Sequence, residues 1–200
     1  MKRHFSSKSQ FLVIVFLIAT ACSGIFIPDP IDPRIPKYTN EGNNVAGAFF
    51  NDKIWKSVVK AGFNHLSGSP DITVWSQSDS LSLRFTGSIS EESSSIEFNL
   101  KELKITKFAD LLVLNGQKIQ LDGINSAGYF IRNYTPEDYA HKGTGQIYFR
   151  NVKAEDASGT IILSGTFSLS FNDWNGNILK VTSGRFDYRI SEESNFNISN

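Results

Sequence analysis

TIILSGTFSLSF, residues 160–171, decides the fold of this chain. Ile161, Leu163, Gly165, Phe167, Leu169 and Phe171 occupy the odd positions; Thr160, Ser164, Thr166, Ser168 and Ser170 the even ones, with Ile162 the exception. Side chains alternate across a strand with period two. Order this regular predicts an antiparallel strand with one face in a core and the other near water. Gly165 marks a bend or bulge that lets so long a strand curve.

The same alternation extends outward in both directions. ILKVTSG and RFDYRI follow as a final strand pair, and upstream SIEFNL sends Ile96, Phe98 and Leu100 one way, Glu97 and Asn99 the other. DITVWS and DSLSLRFTG read as further strands, and GAFFNDKIWKSVV as two short strands around Asn51-Asp52-Lys53. Trp55 and Trp75 fall in strand patterns and are expected in the core. In KELKITKFADLLVLNGQKIQL, residues 103–112 suit a helical turn or two. Asn115-Gly116 is a two-residue hairpin signal and favours strands at 111–114 and 117–121. The 16 Phe, with Ile, Val, Thr and Tyr, and the many Gly, Ser and Asn, complete an all-β composition. The expectation is one antiparallel β-sandwich or barrel-like domain of about ten strands over residues 45–190, with a tail at 191–200.

The beginning of the chain has a different character. Lys2, Arg3 and Lys8 precede an apolar run from Phe11 to Ala19, and Thr20 and Ala21 lead to Cys22, the only cysteine. That is the order of a signal peptide over residues 1–21. Ala19-Thr20-Ala21-Cys22 resembles a bacterial lipobox, in which the cysteine thiol is the nucleophile alkylated with diacylglycerol. One acyl chain binds a membrane only marginally, so a stable anchor needs two or three. Ser23, rather than Asp, directs the expectation to the outer membrane, with the face unassigned. Residues 22–44 carry four of the six prolines between 28 and 36 and read as a lipidated, semi-rigid tether. Ile25, Phe26, Ile27, Ile31 and Ile35 are more apolar than a spacer needs, and a second reading lays them along the domain or against a partner. Loss of residues 1–21 removes three basic and no acidic residues, leaving the remainder slightly acidic. Such a chain lacks the basic patch a nucleic-acid partner requires.

Catalytic patterns are missing from the sequence. His65 and His141 are the two histidines after Cys22 and have no ligand-like neighbours at metal spacing, so neither a metal nor a cofactor is expected. There is no Gly-x-Ser-x-Gly elbow; Ser67 and Ser164 suit turn or strand positions. Glu91-Glu92, Glu137-Asp138 and Glu192-Glu193 are neighbours in sequence and read as solvated loop charge. NDWNGN, residues 172–177, offers oxygens from Asp173, Asn175 and Asn177 and a stacking face from Trp174. A calcium loop or sugar platform is one reading of it, and a hairpin turned at Asn175-Gly176 the other. RNYTPEDYAHKG brings Tyr134, Tyr139 and His141 into a polar loop; ligand contacts are one reading of them, and capping of the open end of the β domain is the other.

AGAFFNDKIW, AGYFIR, GTGQIYFRNV, SGTFSLSF and VTSGRFDYRI together resemble a family of small Bacteroidetes lipoproteins of unknown function. The resemblance implies a lipid-anchored β domain and transfers no catalytic residue. Gly143, Gly145 and Gly184 suit turns, and Phe167 and Phe186 core packing. The expectation is a non-enzymatic binding or interaction module of the cell envelope, its partner a glycan or an envelope protein. The alternative is a lipocalin-like carrier whose phenylalanines line a cavity, and a hydrolase is the third reading.

Overall fold

The computed structural model describes residues 32–57, 72–132, 139–155, 159–173 and 175–199, with Tyr139 and Ala140 as backbone. Its strands are β1 (Val45–Phe50), β2 (Lys53–Ser57), β3 (Ile72–Gln77), β4 (Ser80–Ile89), β5 (Glu92–Lys101), β6 (Lys118–Leu121), β7 (Ala127–Arg132), β8 (Tyr139–Glu155), β9 (Thr160–Asn172), β10 (Ile178–Ser191) and β11 (Phe196–Ser199). β1, β2, β4, β5, β7, β8, β9 and β10 follow one another around a closed barrel, each antiparallel to the next, and β10 pairs back onto β1. The fold is therefore a closed barrel and not a sandwich. Closure leaves these eight strands without free edges.

Two staves are interrupted. On one edge of β4, β2 ends with Ser57 opposite Gly87 and β3 begins with Ile72 opposite Phe85. On one edge of β8, β6 ends with Leu121 opposite Gly145 and β7 is in place by Gly128 opposite Gly143. β3 carries the parallel strand β11 on its other edge, so residues 191–200, read as a tail, include a helical turn α1 (Glu192–Asn195) and a paired strand.

Phenylalanine fills the barrel. Phe85 is a hub, its ring centroid 5.5 Å from Phe98, 6.0 Å from Phe167, 5.2 Å from Phe186 and 5.3 Å from Tyr188. Every odd position from Ile161 to Phe171 is buried, as the alternation in β9 requires. Glycines in neighbouring strands make the room. A Cβ on Gly165 would stand 2.6 Å from the Phe186 ring, on Gly184 2.5 Å from Phe167, and on Gly143 2.4 Å from Phe171. Gly143, Gly145 and Gly184 accordingly lie within β8 and β10, and none of them forms a turn. The bulge expected near Gly165 falls on the partner strand, between Phe149 and Asn151 of β8. ILKVTSG and RFDYRI form the single strand β10, bent by an irregularity between Val181 and Gly184 where Ser183 has φ 53°.

Outside, the barrel carries charge: Arg84 pairs with Glu97 at 2.7 Å across β4 and β5. Trp75, expected in the core, faces outward and is half-buried, with the Arg84 guanidinium 5.2 Å from its ring. Apolar inside and charged outside is the polarity of a barrel standing in water; membrane-spanning barrels reverse it.

One end is plugged. Residues 108–114 form a 3-10 segment where a strand was expected at 111–114. Phe108, Leu111 and Leu114, three apart, match the three-residue period of that helix and are all buried. Phe108 meets Phe196 of β11 edge-on at 5.5 Å. Asn115-Gly116 therefore turns the chain out of the plug, with Gly116 at φ 76° and its N–H donating to the Phe149 carbonyl.

Residues 32–44, expected as part of the tether, lie along the outer wall. The Arg34 guanidinium is 4.9 Å from the Phe49 ring centroid, and Pro36 packs where a Cβ on Gly47 would stand. Further along, Asp187 of β10, 1% exposed, accepts hydrogen bonds from Thr39 Oγ1 (2.5 Å), the backbone N–H groups of Glu41 (3.2 Å), Gly42 (2.8 Å) and Asn43 (3.2 Å), and Asn43 Nδ2 (3.2 Å). A buried carboxylate is costly unless hydrogen-bonded, and here the strap supplies the donors. It also explains Ile162: that outward apolar side chain, 4% exposed, lies beneath Gly42.

Candidate functional site

The end opposite the plug is the mouth, formed by the turns β1–β2 and β4–β5 together with the ends of β7 and β10. It holds a pocket of about 190 Å³. Phe50, Ile89, Phe130 and Leu179 supply its apolar lining. Phe50 and Phe130 stand 4.5 Å apart, and Phe171 lies 6.3 Å from each, so a layer of rings floors the pocket above the Phe85 cluster. Among the described residues the interior is packed ring against ring, and the pocket does not continue as a Phe-lined cavity.

The rim is polar. Lys53, Glu92 and Arg132 stand on the same strand faces as Trp55, Ser94 and Phe130, and Asp52 adds a fourth charge from the turn. None of these four makes an ion pair with another described residue. Ser94, directly opposite Arg132 in the register, is 2% exposed, and its hydroxyl has no hydrogen-bond partner in the described structure. An unpaired buried hydroxyl costs about 1–3 kcal/mol, so its position in the pocket wall marks where a polar ligand atom would gain most. Ser90 and Glu91 of the β4–β5 turn have φ 50° and 71°, a left-handed pair in which Gly or Asn is usual. The turn is thus strained at the pocket rim.

Of the residues singled out from sequence, Asp173, Asn175, Tyr139 and His141 are described and lie around the same end. Asp173 closes its own loop: its carboxylate accepts from Asn175 N (2.8 Å), Asn177 N (2.7 Å) and Asn177 Nδ2 (2.9 Å). These bonds, the Asn177 side chain foremost, hold the Asp173 pKa below the usual carboxylate value. Gly176 turns at φ 80°, so the loop has the geometry of the hairpin reading, and Asn175 is exposed at its tip. His141 Nδ1 lies 3.2 Å from the Asn172 carbonyl, tying β8 to the base of that loop. Tyr139 opens β8 opposite Arg132. Tyr134, Trp174, Cys22 and His65 lie outside the described residues. No group of three His, Cys, Asp or Glu among the described residues is placed to hold a metal ion.

The mouth residues Lys53, Ser94 and Arg132 were missed in the sequence. Each is one polar position in an ordinary alternating strand, and only the pairing order β2–β4–β5–β7 and its register bring them to one rim. Comparison of the chain with family models, curated proteins and solved structures gives no match.

Proposed function

We propose that this protein is a non-enzymatic binding module of the cell envelope, anchored through lipid on Cys22, that takes a small amphipathic ligand in the barrel mouth. One observation carries the reading: the open end of a closed barrel has an aromatic floor, a charged rim and a buried hydroxyl awaiting a partner. A closed eight-stranded barrel is compatible with a lipocalin-like binding module. The mouth volume is below the roughly 300–1,000 Å³ of drug-sized sites, which favours a short ligand or one end of a longer one over a fully enclosed cargo. The lipobox and the resemblance to small Bacteroidetes lipoproteins support the lipid anchor, and Ser23 in place of Asp after Cys22 supports an outer-membrane location. A glycan or the end of an envelope polypeptide would use the same rim.

The test is binding of 1-anilinonaphthalene-8-sulfonate, an aromatic body with an anionic end, to the full-length protein, with octanoate as competitor. Saturable fluorescence displaced by octanoate is expected, and Ser94→Leu, which fills the pocket, should weaken it at least tenfold while the melting transition persists. No saturable binding, or equal binding by a folded Ser94→Leu variant, would overturn the mouth as the site.

A further inference from the structure

Two of the mouth residues form a direct cross-strand pair. Ser94 of β5 and Arg132 of β7 are register partners, and both line the pocket. Directly opposed residues on one face hold their Cβ atoms about 4.5–5.5 Å apart, so the two side chains leave the wall side by side. The next pair inward on that face is Ile96 with Phe130, and Phe130 belongs to the aromatic floor. Floor and polar pair are therefore one side-chain layer apart, about 7 Å along the strand.

The chemistry of the pair selects a head group. A guanidinium has N–H donors and no acceptor, and the buried Ser94 hydroxyl has no partner in the described structure. An acceptor-only group set between them receives two parallel N–H bonds from Arg132 and the O–H bond of Ser94, and a carboxylate is such a group. An ammonium would meet Arg132 as a like charge, and an alcohol would satisfy Ser94 without neutralising the guanidinium. The remaining rim charges lie farther out. Glu92 opposes Ile89 on one side, while Lys53 stands two residues past Trp55, the partner of Ile89 on the other, so these two offset each other. Asp52 is carried by the turn between Phe50 and Lys53. All three are exposed, where water and salt screen their fields.

We infer that the ligand of the mouth is a monocarboxylate with a short apolar tail, its carboxylate between Arg132 and Ser94 and its tail on Phe50 and Phe130. The inference rests on the mouth reading proposed above and names its ligand class. One layer of depth and a volume of about 190 Å³ fit a short chain or a single ring.

Hexanoate, hexylammonium and 1-hexanol share one tail and differ in the head. Each is titrated at neutral pH into the full-length protein, with the Ser94 and Phe130 amide resonances as readout. Hexanoate should bind about tenfold tighter than either of the others, as a charge-assisted hydrogen bond allows. Arg132→Gln, at an exposed position, should remove that advantage and leave hexanol binding unchanged, and Lys53→Gln should preserve it. Equal affinity for the three, a preference that survives Arg132→Gln, or one lost with Lys53→Gln would overturn the carboxylate assignment while the mouth remains a binding site. Absence of saturable shifts with all three overturns it as well, and the anilinonaphthalene sulfonate titration then decides separately whether the mouth reading stands.

Discussion

Gly87 shows how single residues set this interior. Its missing side chain is the space occupied by Trp55, since a Cβ would stand 2.5 Å from the indole ring and 2.4 Å from the Lys56 carbonyl oxygen. Backbone cannot yield as a flexible side-chain end can. Gly87→Val should destabilise the barrel by about 1–3 kcal/mol, lowering Tm by about 2–10 °C in a thermal melt. An unchanged Tm would show that the staves can separate locally. Asp173 gives a pH-dependent counterpart. Its folded pKa is lowered by Asn177 and Asn175, so the loop gains stability above the ordinary carboxylate value and loses it as pH falls through the lowered one. The Asn177 amide resonance should titrate with a midpoint below about 3.9; a midpoint at or above that value contradicts the hydrogen-bonded loop. The turn at Asn175-Gly176 was legible because glycine's positive φ is written in the sequence. Trp55's partner was not, because a glycine inside a strand does not name the ring it admits.

The strap is the element whose role depends most on distant chain. Its prolines read as a spacer, while its isoleucines are more apolar than a spacer needs and left open a course along the domain, which buried Ile35 takes; its proline-limited backbone is indeed unsuited to a ladder. What docks it is Asp187, separated from Thr39 by 148 positions, in a strand where one acid looks like any solvated residue. Asp187→Asn replaces an acceptor oxygen with an amide NH₂ facing other donors, and should cost about 1.5–3 kcal/mol. Hydrogen exchange at the Glu41, Gly42 and Asn43 amides should accelerate while β5 stays protected; unchanged exchange there would mean that the bond from Arg185 to the Pro36 carbonyl (3.3 Å), the Tyr38–Ser164 hydroxyl contact (3.3 Å) and buried Ile35 suffice. Of the 3-10 plug, the helical turn expected within 103–112 is present from Phe108, and only 111–114, expected as strand, was misread. Over four residues an apolar run does not separate a strand from a helical turn, and the three-residue spacing of Phe108, Leu111 and Leu114 emerges only when the whole segment is taken together.

At the scale of the molecule, strand alternation revealed the all-β class, and closure is what it left undecided. A sandwich and a barrel share inward-facing apolar residues; they differ in whether the first stave meets the last. Here Val45 pairs with Asp187, and Phe50 with Val181. That seam has a consequence for the history of each molecule. A polypeptide emerging from a ribosome, or threading a secretion channel, has no β10 to close against until the eight strands between β1 and β10 have passed, so β1 and the strap must wait for them. Long-range pairing of this kind slows folding. On the export route proposed above, that delay would leave time for passage before the barrel shuts.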